Sequence, residues 1–376
     1  MLTAAAFVIV TSEFLPIGLL DGIAASLGVT AGVAGLMVTM PGLLAACSGP
    51  LLMALLGQRD RRVLLSVLCL LLLAADLLAA LAPGLLTMLV ARVMLGVVVG
   101  GFWTFAPGAC AYLVAPDRQA KALSWILAGI SAATVAGVPA GVFVGSEFGW
   151  RGAFSILAVL ALGLAAMLWV ALPAMPGGRP AEAEADASRD ASLLEPLRDW
   201  RALLVLLVTL FAVSGHFAAY TYLAPLLQNR FGLAPAAVTT MLLLYGVAGL
   251  AATLMAPRLI SGKLRATLLG VFATAALVLL LVQHGGGVCL AALCALGWGS
   301  AFGMMPGCLN AWMQEVQPHA TDAGQAWFVG FFQSAIALGA WSGGLMLDLR
   351  GAGSAAMLGM ALELLAVGVV LAAYRR

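Results

Sequence analysis

Polar residues in this chain are gathered into short clusters, with long apolar runs between them. About 20 apolar residues in a row are enough for a helix to cross a ~30 Å hydrocarbon core. Such runs fall near residues 2–24, 33–56, 63–82, 84–112, 121–146 and 150–172, then near 202–227, 235–257, 265–284, 286–312, 322–347 and 354–374. The pattern predicts twelve transmembrane helices. Connections are short except for residues 173–201, which hold Pro173, Pro176, Gly177, Gly178 and Pro180, then a charged series from Glu182 to Arg201. This polar stretch is predicted to join two groups of six helices, residues 1–175 and 201–376, through a cytoplasmic linker at 176–200.

Composition fixes the class. The chain is 63% hydrophobic and 9% charged, whereas a soluble domain carries about 25% charged residues. Its mean hydropathy is +1.09. No soluble fold hides that much apolar surface, so an all-α polytopic membrane protein is expected. A net charge of +2 with no basic stripe leaves no nucleic-acid partner to expect. The six cysteines, at 47, 69, 110, 289, 294 and 308, lie in apolar runs without zinc-site spacing and read as small buried hydrophobes, with no metal or cofactor implied. The first run lacks the basic leader of a signal peptide and is expected to remain as a helix.

Loop charge predicts orientation. One set of loops receives Arg59, Arg61, Arg62, Arg118, Lys121, Arg179, Arg189, Arg198, Arg201, Arg258, Lys263, Arg265, Arg375 and Arg376; the other receives Arg151, Arg230 and Arg350. Positive residues stay inside, so both termini and the linker are expected in the cytoplasm. The two halves also echo each other. Ser12-Glu13-Phe14 matches Gly215-His216-Phe217, Arg62-Val63-Leu64-Leu65 matches Arg265-Ala266-Thr267-Leu268, and Gly137…Gly141 matches Ala340…Gly344, all at an offset of 203 residues. Six-plus-six secondary transporters are built from such parallel repeats, with solute handled near the midplane.

Glu13, Asp76, Arg92, His216 and Glu363 are the ionisable side chains, cysteine and tyrosine aside, that lie well inside the predicted spans, away from their ends. A charge at the bilayer centre costs at least ~3 kcal/mol, so each is a functional candidate until a partner accounts for it. With a helical rise of 1.5 Å per residue, Glu13 lies ~18 Å from the cytoplasmic end of its helix and Arg92 ~12–15 Å in from the outer face.

Several motifs carry a family resemblance over essentially the whole chain. Glu13-Phe14-Leu15-Pro16-Ile17-Gly18-Leu19-Leu20, Arg92-Val93-Met94-Leu95-Gly96 continuing to Gly100-Gly101-Phe102-Trp103, Gly137-Val138-Pro139-Ala140-Gly141 followed by Gly149-Trp150-Arg151, and Gly215-His216-Phe217-Ala218-Ala219-Tyr220-Thr221-Tyr222 are the carriers. Together they resemble the major facilitator superfamily, and within it the bacterial drug:proton antiporters that include sugar and purine-nucleoside efflux pumps. The loop Gly57-Gln58-Arg59-Asp60-Arg61-Arg62 is shorter than the superfamily's second-to-third-helix motif, so no gating role is carried over to Asp60.

The resemblance implies two pseudo-symmetric six-helix bundles in a bacterial inner membrane, with helices one and four around one cavity. Glu13 and Arg92 are then expected to pair there. Proton coupling through Glu13 is one reading of that pair, and a permanent interhelical clamp is the other. Phe14, Phe102, Trp103, His216, Tyr220, Tyr222, Trp298, Asn310 and Gln333 are expected to line the cavity, where rings with a few polar tips suit a sugar, nucleoside or drug. His216 could also titrate as a second proton site. Asp76 lies on helix three, which the resemblance does not put at the cavity centre, and reads as a local hydrogen-bonded acid or a functional one; Glu363 on helix twelve is expected to turn inward or to be held protonated, without an assigned role. Gly96, Gly100, Gly137, Gly141 and Gly145 are expected to let helices approach closely, and Pro139 to bend helix five.

The expected function is proton-coupled export of a small organic solute by alternating access, with protons, solute and lipid as partners and a monomer as the working unit. A proton-independent facilitator is the alternative. An enzyme is not expected: the histidines at 216, 284 and 319 have no ligand spacing, and no nucleophile elbow occurs. A sensor would need a signalling domain, for which the linker and tail leave no room.

Overall fold

A computed structural model describes residues 1–175, 195–317 and 321–373. The predicted linker therefore lies outside the described residues from 176 to 194, as do the tail residues Arg375 and Arg376. Among the described residues eleven apolar stretches are long enough to span a membrane, and one of them, Trp125–Ala171, is 47 residues long. That stretch crosses twice, because Gly149 turns the chain at φ 75° and ψ 159°. Counted so, the spans number twelve, and the protein is an all-α membrane protein of two six-helix bundles.

In chain order the spans are Leu2–Leu27, Leu36–Leu56 (entered by the short helix Ala31–Ala34), Arg61–Ala80, Leu85–Leu113, a fifth that runs from Pro116 to the bend at Gly149, and a sixth ending at Ala171. The second set is Trp200–Tyr220 with its continuation Leu223–Phe231, then Pro235–Ile260, Leu264–His284, Val288–Val316, Thr321–Arg350 and Ala352–Ala373. Side chains cap several starts: Asp60 accepts from Arg62 N at 2.8 Å, Asp199 from Arg201 N at 2.9 Å, and Thr30 from Val33 N at 3.2 Å. Each relieves a backbone donor that a helix end leaves unpaired. Asp60 also accepts from Met175 N at 3.1 Å, so the shortened loop ties the third span to the exit of the sixth.

The fifth span is not a regular α-helix around Pro139, the residue predicted to bend it. Residues Ala133–Gly137 form a π-helical turn just before Pro139. Proline supplies no amide hydrogen and crowds the carbonyl four residues back, and the wider turn accommodates both effects.

Close helix pairs are made where glycine meets backbone. A Cβ on Gly96 or Gly100 would strike the second span, at Pro41 and Leu44 or at Ala45 and Ser48. Gly137, Gly141 and Gly145 seat Thr11, Leu15 and Leu19 of the first span, matching steps of four on both helices. In the second set, Gly303 faces the backbone of Gly249, Gly339 that of Ser214 and Gly343 that of Ala218. Lipid tails are as apolar as leucine, so van der Waals fit of this kind holds membrane helices together. Leu86, Val170 and Leu254 are exposed at 78%, 82% and 71% and form part of the lipid-facing surface. The cysteine expectation needs one correction: Cys69, Cys110, Cys294 and Cys308 are buried, while Cys47 and Cys289 are exposed.

The halves are joined at the face opposite the termini. Asp348 on the eleventh span accepts from Thr30 Oγ1 at 2.6 Å and from Gly32 N at 3.0 Å, and Gln228 Nε2 donates to Asp21 at 3.1 Å. Tyr222 donates to the Ala340 carbonyl at 2.6 Å, with its hydroxyl against Gly35 and Gly344, where no Cβ would fit.

Backbone crowding at Gly303 makes it sensitive. Gly303→Leu is expected to overpack the eighth and tenth spans at a cost of about 1–3 kcal/mol. Gly330→Ala, whose Cβ meets nothing within 4 Å, is the control. Thermal unfolding in detergent should show a clear drop for the first variant and none for the second.

Candidate transport site

Arg92 is buried in the fourth span and donates to three backbone carbonyls. Its Nε reaches Met37 O at 3.0 Å, and its Nη2 reaches Ser12 O at 2.7 Å and Glu13 O at 3.0 Å. The Phe154 ring of the sixth span lies 5.7 Å from its guanidinium carbon. The expected meeting of Arg92 and Glu13 takes a different form from a carboxylate–guanidinium pair: the guanidinium holds the glutamate's backbone. The Ser12 carbonyl is available because Pro16, four residues on, has no amide hydrogen to donate to it.

The Glu13 carboxyl thereby stays uncommitted to Arg92. It is buried, its Oε1 has no hydrogen-bond partner, and the Gln333 amide from the eleventh span reaches it from the other bundle. Ser12 next to it donates to Asp76 Oδ1 at 2.6 Å, while Asp76 Oδ2 is unpartnered. Arg92 and Asp76 thus meet on the same residue, Arg92 at the Ser12 carbonyl and Asp76 at its hydroxyl. Asp76 on helix three is a hydrogen-bonded acid beside the Arg92 site. Helix three reaches the centre through the hydroxyl of Ser12, a contact that no spacing in the sequence displays.

His216 occupies the equivalent place in the second half and has a different environment. Trp298 Nε1 donates to its Nδ1 at 3.0 Å, and Tyr245 Oη lies 3.2 Å from its Nε2. An indole N–H only donates, so Nδ1 is bare and the ring proton sits on Nε2, donated to the tyrosine. A second proton on His216 would break the bond to Trp298. The ring stacks on Phe302 at 3.9 Å and 12°, and on Tyr220 at 5.0 Å and 27°, while Tyr220 stacks on Tyr245 at 4.7 Å and 25°. Neither Tyr245 nor Phe302 was singled out in the sequence, since lone rings in apolar runs carry no periodic signal. A small void beside this stack is lined by Leu223, Met241, Tyr245, Cys294 and Trp298, among others.

The other predicted cavity residues divide. Phe14 and Phe217, which correspond under the repeat, pack across the bundles at 5.7 Å. Trp103 packs against the cores of both halves. Phe102, one helical step of 100° further round, is buried in the first-half core and edge-on to Trp103 at 5.3 Å, away from the interface. Tyr222 sits in the closed face rather than in a cavity. Asn310 donates to Gln325 at 2.8 Å and accepts from Gln314 at 2.6 Å, linking the tenth and eleventh spans toward the face of the termini. Glu363 joins neither cluster: it lies against Gly215, and neither of its oxygens has a partner among the described residues.

The sequence model of the Major Facilitator Superfamily matches residues 2–340. The chain belongs to the Major Facilitator Superfamily. Among its relatives in this superfamily, the transcription regulatory protein OpdE of Pseudomonas aeruginosa is 34% identical over 92% of this chain and 86% of its own length. The purine ribonucleoside efflux pump NepI of Salmonella paratyphi B is 31% identical over 98% and 91%. The solved nucleoside transporter NupG shares the fold, with a TM-score of 0.76 at 13% identity over 100% of this chain and 96% of that one.

In this superfamily member Arg92 is the residue whose loss should be felt most. Arg92→Leu would strip a donor from three carbonyls and a cation from two buried carboxyls, at an expected cost of about 3–5 kcal/mol. Glu13→Gln keeps size and a polar end and should melt close to the wild type. Thermal unfolding of the two purified variants checks the order, and equal melting would contradict it.

Proposed function

We propose that this protein is a proton-coupled exporter of a small, largely planar organic solute, with purine nucleosides as the leading candidates. One observation carries the reading: a buried, unclamped Glu13 carboxyl lies between Arg92 of its own bundle and Gln333 of the opposite one. A carboxyl so placed lets proton occupancy bear on how the halves meet, which is what alternating access with antiport requires. The export pump NepI supports the solute class. Arg92 and Glu13 are the coupling residues in this account. Phe14, Trp103 and Gln333 face solute, while the rings around His216 shape its second wall.

Loop charge orients the protein in a bacterial inner membrane with its termini in the cytoplasm. The face closed by Asp348 is then the outer one, and the cycle must break its two bonds to the short helix that enters the second span before solute leaves. The likeness to OpdE favours a second reading, a regulatory membrane protein that binds solute without moving it.

Inverted vesicles loaded with a pH dye separate these readings. Purine nucleosides, sugars and lipophilic cations are presented to wild type and to Glu13→Gln. Nucleoside-driven proton release is expected from the wild type and to fall at least ten-fold in the variant. Release that persists in Glu13→Gln would remove the proton site, solute movement without any proton signal would make the protein a facilitator, and binding without movement would make it a sensor.

A further inference from the structure

One cation and two carboxyls share a buried site in the first bundle, and the charge balance of that site has a consequence. Arg92, Asp76 and Glu13 would carry a net charge of minus one if both acids were ionised, and none if one acid held a proton. A buried cluster favours the neutral arrangement, because net charge in low dielectric is the costlier state. The cluster in its resting form therefore holds one proton, and the question is which acid holds it.

Geometry distinguishes the two. Asp76 Oδ1 receives the Ser12 hydroxyl at 2.6 Å, a short bond of the kind a charged acceptor makes. Each acid has one oxygen without a partner, Asp76 Oδ2 and Glu13 Oε1, but Glu13 meets its neutral neighbour, Gln333, across the bundle interface, whereas Asp76 is held within its own bundle. Next to Asp76, the first span contributes Ser12 and the fourth Arg92, over which the sixth span lays the uncharged Phe154 ring. Arg151, also on the sixth span, is committed elsewhere, to Ser26 Oγ at 3.1 Å and to the Ala82 carbonyl at 2.9 Å. The second span offers Arg92 the Met37 carbonyl, and the eleventh offers Glu13 a neutral amide.

We infer that Asp76 is the fixed counter-ion of Arg92 and that Glu13 carries the cluster's single exchangeable proton. Asp76 is thus a positioning residue, since it acts through Arg92. It satisfies the guanidinium's charge, so Arg92 holds the backbone of the first span and leaves the Glu13 carboxyl free to gain and lose its proton. Ser12 fixes Asp76 in that task. This assignment rests on the proposed role of Glu13, and it adds a stoichiometry of one proton per cycle.

Infrared spectroscopy of the purified protein tests it without any solute. A pH titration through the neutral range should show one protonated-carboxyl band that comes and goes, and that band should vanish in Glu13→Gln. In Asp76→Asn, Arg92 loses its fixed partner and Glu13 must balance it, so the band should persist with its midpoint lowered by at least about one pH unit. Asp76→Glu should return the midpoint toward the wild type. Ser12→Ala should shift it in the same direction by less, and serves if Asp76→Asn does not fold. A band lost in Asp76→Asn but kept in Glu13→Gln would hand the proton to Asp76 and overturn the assignment, as would an unmoved midpoint in Asp76→Asn. A band that behaves as expected in a protein showing no solute-driven proton flux would sink the antiport reading while leaving this charge assignment intact.

Discussion

A guanidinium buried among helices must have its donors met, and Arg92 meets them on backbone carbonyls of the first and second spans. Much of the first bundle's arrangement depends on that constraint. Carbonyl acceptors are available because Pro16 withholds an amide hydrogen from Ser12. The fourth span must then lie close to both partners, and Gly96 and Gly100 permit it by removing the side chains that would strike the second span. On its other flank the first span meets the fifth through Gly137, Gly141 and Gly145. One buried cation and a few missing Cβ atoms thus fix where Glu13 can be.

The two halves solve the same position in opposite ways. Under the repeat Glu13 answers to His216, yet Glu13 is left with an unpartnered oxygen while both nitrogens of His216 are engaged by Trp298 and Tyr245. An acid with spare capacity can exchange a proton; an imidazole held at both ends cannot do so without losing a bond. In the proposed function this asymmetry gives coupling to the first bundle and shape to the second. Phe14 against Phe217 is where the two meet. At the far face the junction is lighter, carried by Asp348, Gln228 and Tyr222, and a few hydrogen bonds are what a reversible closure requires.

Sequence alone yielded the spans because hydrocarbon thickness sets their length, and it yielded Glu13, Arg92 and Asp76 because buried charge is expensive wherever it occurs. Glycine spacing was equally readable, since steps of four align on one helix face. Which atoms meet was not. A one-dimensional pattern showed an acid and a base at similar depth and implied a side-chain pair, whereas Arg92 chose carbonyls that every residue possesses. Asp76 was read as at most a local hydrogen-bonded acid, since the resemblance does not put helix three at the cavity, and its contact runs through Ser12, a hydroxyl with no distinguishing context. Phe102 and Tyr222 were grouped with their neighbours by residue type, and only the rotation of each helix separates the buried ring from the interfacial one.

Central to this account is a proton on Glu13 that powers transport without being needed for solute exchange. The direct measurement compares uphill accumulation of labelled nucleoside in inverted vesicles with equilibrium exchange of the same solute, both in Glu13→Gln. The account predicts that accumulation is lost while exchange continues near the wild-type rate. Uphill accumulation that survives in Glu13→Gln would contradict it.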